Sequence, residues 1–236
     1  MYNCQAMASV DRQSAADRRR LTPEVVVERA LSLADSEGLG AVTIRRLARD
    51  LGVTPMALYW HFRKKDELLD AVMDRVFSEL DSTVEESATW LEQFRTLMGS
   101  LARVLRAHPA SAPLFTTRTN ASESSLRFTE VALGILRRGG FTPTEATQVS
   151  RHALGTITNL VVGEPGVTAR DEDGDLRDTR RRARLFLESL PPDRYPRLVE
   201  AAAPLSACED PDAYYAFGLD LLLAGIGEMA ARKERG

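Results

Sequence analysis

Between Thr43 and Pro55 the sequence places two helix starts and one helix stop within thirteen residues, and few folds satisfy that. Thr43 can accept an orphan amide hydrogen at the head of a helix whose Ile44, Leu47, Ala48 and Leu51 fall on one face. Gly52 supplies the left-handed residue that stops it, Thr54 caps the next helix, and Pro55 opens that helix where no amide is needed. Leu58 and Phe62 are its inward residues. Two short helices joined by a glycine turn, with Ala48 permitting close packing and Leu47, Leu51, Val53 and Leu58 apolar, spell a helix-turn-helix.

The flanking sequence extends the same pattern. Thr22-Pro23 starts a helix with a stripe at Val27, Ala30, Leu31 and Ala34, which Gly38 ends. A fourth helix is expected over 66–80, with Leu69, Val72, Met73, Val76 and Leu80 on one face. The polar, acidic stretch 81–88 reads as a joint between a head and a body. Further helices are expected from about Trp90 to His108, from Ser122 to Arg138, from the capping box Thr142-Pro143-Thr144-Glu145 to about Val162, and from Asp210-Pro211 nearly to the C-terminus. No segment shows sustained strand alternation. The expected fold class is therefore all-α, with an N-terminal three-helix DNA-binding domain and a helical ligand-binding and dimerisation domain. Residues 1–20 read as a disordered basic arm, 21–66 as the head, 67–236 as the body, and 163–179 as a mobile loop.

Charge agrees with this division. Residues 1–65 carry a net charge of +4 and the remainder −7, so a basic head sits on an acidic body. Cys4 and Cys208 lie at opposite ends of the sequence without metal spacing, which fits a reducing compartment. No apolar run approaches the roughly 18 residues of a membrane span, so a cytoplasmic protein without a membrane partner is expected. Asp171, Asp173 and Asp175 resemble a calcium loop only superficially, because its sixth and twelfth positions hold Leu176 and Arg182. Neither metal nor cofactor is expected. None of the motifs GxSxG, P-loop, dinucleotide glycines or HExxH organises the serines, aspartates and three histidines, so an enzyme is not expected.

In a helix-turn-helix the second helix enters the major groove by its N-terminal residues, while its neighbour crosses the phosphate backbone. The expected DNA face is Thr43, Thr54, Pro55, Met56, Ala57, Tyr59, Trp60 and His61, with Arg45 reaching a guanine edge or phosphate and Lys65 clamping the backbone. The runs Thr43-Ile44-Arg45-Arg46-Leu47-Ala48, Leu51-Gly52-Val53-Thr54 and Leu58-Tyr59-Trp60-His61-Phe62-Arg63-Lys64-Lys65 resemble the N-terminal domain of the tetracycline-repressor (TetR) family. Thr117-Arg118, Gly140-Phe141 and Phe217-Gly218-Leu219-Asp220-Leu221 resemble the ligand-binding half of that family. The resemblance implies a ligand-controlled, dimeric regulator of double-stranded operator DNA, usually a repressor, whose residues matching Arg45, Pro55 to Ala57, Tyr59, Trp60, His61 and Lys65 touch DNA. A transcriptional activator, or a constitutive DNA-binding protein without an inducer, is the alternative.

Two small heads normally read two half-sites about a twofold axis, so the body is expected to form a homodimer. Val149, Ala153 and Ile157 on one helix, with Phe217, Leu221, Leu222 and Gly225 on the last, form the expected interface. Gly218, Gly225 and Gly227 would let a partner helix approach. The expected pocket for a small-molecule effector combines Leu101, Leu105, Phe115, Thr117, Arg118, Phe128, His152, Thr156 and Asn159. In tetracycline-binding members the resemblance implies a histidine near the Thr-Arg element that coordinates magnesium. Ala112 to Arg118 contains no histidine here, so a metal-independent hydrophobic or aromatic effector is expected.

Overall fold

The computed structural model describes residues 21–118, 122–163, 176–207 and 210–235. The basic arm, residues 164–175 of the expected loop with its three aspartates, and both cysteines lie outside this range. All regular elements among the described residues are helical. The chain divides into two compact units, Met1–Leu69 and Asp70–Gly236.

In the first unit, α1 (Pro23–Glu37), α2 (Ile44–Leu51) and α3 (Pro55–Tyr59) each begin at a threonine. The hydroxyls of Thr22, Thr43 and Thr54 accept from the amides of Val25, Arg46 and Ala57 at 3.4, 3.1 and 3.3 Å. Gly52 adopts φ +67°, and the Val53 amide that follows donates back to the Ala48 carbonyl at 2.9 Å, which closes α2. Val26, Ala30, Leu33, Leu47, Leu58 and Leu68 are fully buried, so the apolar stripes meet in one small core.

Helix α4 (Lys65–Phe77) starts in the first unit and continues in the second. It stops short of the expected Leu80. The Ser78 hydroxyl donates to the Arg75 carbonyl at 2.6 Å, and the amides of Glu79 and Leu80 take the tighter i−3 pattern, so the helix gives way to a turn.

The second unit is built around α5 (Trp90–Ala107), which packs against α7 (Glu123–Arg138), α8 (Pro143–Val162) and α12 (Pro211–Arg235). Phe94, Leu97, Leu101 and Leu105 are its fully buried stripe, spaced i, i+3, i+7, i+11. A short α6 (Leu114–Thr117) packs on α8. Capping boxes at Thr89/Glu92 and Thr142/Glu145 start α5 and α8, the second as expected.

Residues 81–88 are not the joint between units. Buried Gln93 donates from Nε2 to the carbonyls of Glu85 and Ala88 at 2.8 and 3.2 Å, and buried Ser100 accepts from the Asp81 amide at 3.0 Å. Two polar side chains on α5 thus hold this acidic stretch to the second unit, a pairing that composition does not reveal.

The expected loop also ends early, because Leu176 already begins α9 (Leu176–Glu188). This helix packs on α10 (Pro196–Glu200) and α11 (Ala202–Ser206), an excursion absent from the sequence expectation. Its arginine-rich stretch carries no buried apolar stripe, and Leu185 and Phe186 are exposed, so periodicity gives no signal there.

The ends of α8 and α12 are tied by charge. The Lys233 ammonium pairs with Glu145, donates to the Gly140 carbonyl at 3.2 Å and lies 5.4 Å from the Phe141 ring centroid. Lys233, then the Thr142 amide and hydroxyl, hold the Glu145 carboxyl down at about 2, below its ordinary 4.5. A depressed carboxylate stabilises the fold above its unfolded value and loses that contribution as pH falls towards its folded value. Glu145→Gln is therefore expected to be less stable than wild type at pH 7, with the gap shrinking between about pH 4.5 and 2. Urea unfolding of both proteins across that range measures it; a gap independent of pH would refute the assignment.

Candidate functional site

The reading helix is short, and its exposure pattern is divided by side. Leu58 and Phe62 point into the core at 0% and 6% exposure, whereas Met56, Tyr59 and Trp60 are 67%, 47% and 84% exposed. Three large apolar or aromatic side chains facing water on five consecutive residues form a presented surface. Thr54 and Pro55 are exposed beside them, and Ala57 and His61 are half-buried. Glu24, in the first turn of α1, is held below the usual carboxylate range by the Thr22 hydroxyl first, then its own amide, with a smaller contribution from nearby His61.

Helix α2 is fixed by a ring of ion pairs. Arg46 donates to both oxygens of Glu37 at 2.6 and 2.8 Å and from Nε to Asp50 at 3.1 Å, while Arg29 of α1 donates to Asp50 at 2.6 Å. Hydrogen bonds from Arg46 lower the Glu37 pKa, and hydrogen bonds from Arg29 and then Arg46 lower that of Asp50. The neighbouring Arg45 is exposed, as is the cap residue Thr43. Of two adjacent arginines, one therefore holds the unit together and the other faces water.

Lys65 opens α4, where its ammonium donates to the Leu39 carbonyl at 3.4 Å, and it remains exposed together with Arg63 and Lys64. These cations lie immediately after α3 in the chain. The Arg63 amide donates to Glu67 at 2.8 Å, which fixes this turn.

The second unit contains a cavity of about 500 Å³ within the ordinary range for small-molecule sites. Phe77 and Phe115 stack in its wall with centroids 4.6 Å apart. Phe115 and Arg118 are the expected pocket residues that line it. Leu101 and Leu105 are fully buried in the helical core, and Phe128 packs edge-on to Phe77 at 6.1 Å without lining this cavity. Thr117 donates its hydroxyl to the Pro113 carbonyl at 2.8 Å and is exposed, and neither Thr156 nor Asn159 lines the cavity. The lining that sequence reasoning missed is Met73 with Phe77, Thr116, Ser125 with Thr129 and Leu133, and Thr147, Ser150, Arg151 and Leu154. Each helical set repeats at i, i+3 or i+4, so a polar stripe beside the apolar ones was the available signal.

A second depression, between α8 and α12, is lined by Val149, His152, Leu221, Leu222, Gly225 and Ile226 among others. His152 thus faces this groove rather than the cavity. Phe217 and Leu221 are 70% and 67% exposed, and Gly225 opens onto space, while Val149, Ala153 and Ile157 are buried within the chain's own core. Gly218 and Gly227 do not admit a partner helix. A Cβ at Gly218 would meet the Leu160 side chain at 2.6 Å, and one at Gly227 would meet Leu91 at 3.3 Å, so both admit residues of the same chain.

Comparison with known proteins matches residues 26–72 to the family of bacterial regulatory proteins, tetR family, and residues 84–230 to the tetracyclin repressor-like C-terminal domain. An HTH-type transcriptional regulator of Saccharopolyspora erythraea is 30% identical over 210 residues, covering 89% of this chain and 86% of the relative. The tetracycline repressor protein class C of Escherichia coli is 28% identical over 212 residues, covering 89% and 92%. Among solved structures, the TetR family protein ActR of Streptomyces coelicolor in complex with actinorhodin superposes with a TM-score of 0.75 at 29% identity, covering 89% of this chain and 99% of that one.

Lys65→Ala should weaken binding to all duplex sequences alike and flatten the dependence of log K on log salt by about one, the signature of one lost phosphate contact. Arg45→Ala should instead change the preference between sites. Gel-shift titrations at several salt concentrations separate the two outcomes, and wild-type behaviour in both variants would remove these residues from the DNA face.

Proposed function

This chain belongs to the tetR family of bacterial regulatory proteins, and from that premise we propose that it is a repressor that binds a palindromic operator as a homodimer and leaves it when a small aromatic molecule binds. The observation that carries the reading is the coexistence of two features: a short helix presenting Met56, Tyr59 and Trp60 to solvent, and a cavity of ligand size in a separate unit. The DNA contacts are those of Thr43, Arg45, Thr54 to Ala57, Tyr59, Trp60, His61 and Lys65. Pairing of two heads supplies the specificity that one small head lacks.

The effector follows from the lining. Stacked Phe77 and Phe115 favour a flat ring system; the hydroxyls of Thr116, Ser125, Thr129 and Thr147 donate to backbone carbonyls, which leaves their oxygens as acceptors and favours a ring system bearing hydroxyl donors. Hard cations take oxygen donors in good geometry, and among the described residues the lining side chains include no aspartate or glutamate, nor a histidine. A metal-independent effector is the reading this lining supports. Helix α4 supplies Met73 and Phe77 to the cavity wall and Lys65 to the DNA face, so a single helix carries the response. The effector acts by favouring one arrangement of α4, because a ligand without such preference shifts nothing.

Gel shifts on DNA adjoining the protein's own coding region test the whole reading. A retarded complex that polycyclic aromatic compounds dissolve equally well with and without EDTA is expected; loss of release in EDTA would overturn the metal-independent effector.

The dimer is assigned to the groove of α8 and α12, which Leu221 lines, together with exposed Phe217 one turn earlier on α12. Leu221→Arg places the new charge on an exposed position of the single chain, so the variant should fold, but pairing would bury it at a cost of about 3–5 kcal/mol. Sedimentation should give monomers that no longer hold a palindromic site. A dimeric variant with full operator binding would place the interface elsewhere.

A further inference from the structure

We infer that Met56 reads the 5-methyl group of a pyrimidine in the major groove, so that operator binding is strengthened by thymine and equally by cytosine methylated at C5. This recognition rests on the DNA-binding reading of the first unit and adds which chemical group of the base is met. The direction of the side chains on α3 sets its geometry. Successive residues of a helix turn by about 100°, so with Leu58 buried, residues 56 and 60 point away from the core. Met56 and Trp60 are accordingly the two most exposed large apolar side chains among the described residues of the first unit. Lying four residues apart, they form one ridge. Trp60 keeps helical dihedrals, φ −68° and ψ −27°, at the end of α3, so the ridge runs through it.

The residues around Met56 have little with which to hydrogen-bond a base. Pro55, Met56 and Ala57 carry no side-chain donor, and a thioether sulfur accepts only weakly. The Thr54 hydroxyl oxygen is turned back onto its own helix, where it accepts from the Ala57 amide at 3.3 Å. In a helix-turn-helix the second helix, here α3, lies in the major groove. Every base pair presents polar donors and acceptors there, and thymine alone of the four bases adds a methyl group. A methionine offers no partner to the former and fits the latter, because its three rotatable bonds let it follow a small apolar group. Cytosine methylated at C5 carries the same methyl on the same ring carbon. It differs from thymine in the group at C4, an amine for a carbonyl, which Met56 has no strong donor or acceptor to distinguish. Arg45, exposed on the neighbouring α2, carries the fork that matches guanine, so preference for the methyl and preference for guanine fall on different helices.

The full chain is first used to select binding sites from a random duplex pool, and the enriched site is synthesised with deoxyuridine in place of each thymidine in turn. That change removes the methyl and leaves the pairing edge intact. Gel-shift titration of wild type should find a thymine whose methyl is worth about fourfold in affinity, the value of one buried methyl. At the same position 5-methylcytosine paired with guanine should bind about fourfold more tightly than cytosine paired with guanine. Met56→Ala, at an exposed position that leaves the core untouched, should abolish both differences, and Met56→Leu should keep them. Met56→Gln, carried through the same selection, should lose the methyl preference and enrich adenine, whose edge an amide pairs in two bonds; it carries the assignment if Met56→Ala binds too weakly to titrate. Wild type indifferent to uracil at every position would overturn methyl reading while leaving the first unit as a DNA-binding one. A uracil effect of full size in Met56→Ala, or an unchanged selected site in Met56→Gln, would overturn the assignment to Met56. A uracil effect without a gain from cytosine methylation would overturn the equivalence of the two pyrimidines. Failure of the pool to enrich any sequence would overturn the DNA-binding reading and this one with it.

Discussion

A helix of five residues has no stability of its own in water, because nucleation fixes several dihedrals for very few hydrogen bonds. Everything α3 presents therefore depends on how it is anchored. Leu58 is its one fully buried side chain, with Phe62 just beyond its end nearly so, and burial of a leucine contributes about 1.5–3 kcal/mol. Thr54 satisfies an orphan amide at one end, and the amides of His61 and Phe62 return to the Leu58 carbonyl at the other. With the inward side so held, Met56, Tyr59 and Trp60 are left on the outside without contributing to the core.

The same economy governs the arginines of α2. Asp50 accepts from Arg29 and Arg46, and Glu37 accepts from Arg46 through two bonds, so the orientation of α2 against α1 is set by directional contacts as well as by Leu47 and Ala48. Surface charge networks of this kind contribute modestly to stability. Their effect here is positional: with Arg46 committed to carboxylates, Arg45 remains exposed on the same helix.

In the second unit one helix organises two different surfaces. Because α5 buries a full stripe, α7, α8 and α12 can each turn a further face away from it. Hydroxyl-bearing residues of α7 and α8 border one cavity, and a groove elsewhere is lined by Glu145, Gln148, Val149 and His152 of α8 and the mainly apolar face of α12. Under the proposed reading, the polar side chains of the first would orient a ligand as well as bury it.

The sequence by itself determined the helices of the first unit nearly to the residue. Threonine caps, Pro at the first turn and glycine stops act over three or four residues, and the inward positions Leu47, Ala48, Leu58 and Phe62 follow from the same local repeat. It also located α5, α7, α8 and α12 through their stripes and the Thr142/Glu145 box. Tertiary structure decided the rest, because those choices are made between residues far apart in the chain. Whether Gly218 admits a partner or Leu160, whether residues 81–88 swing free or are held by Gln93 and Ser100, and whether His152 faces a cavity or a groove all depend on which helix lies opposite. The pairing of Arg118 with Asp70, 48 residues away, is of the same kind. A repeat along one helix specifies that a face exists; only packing against the other helices specifies what that face meets.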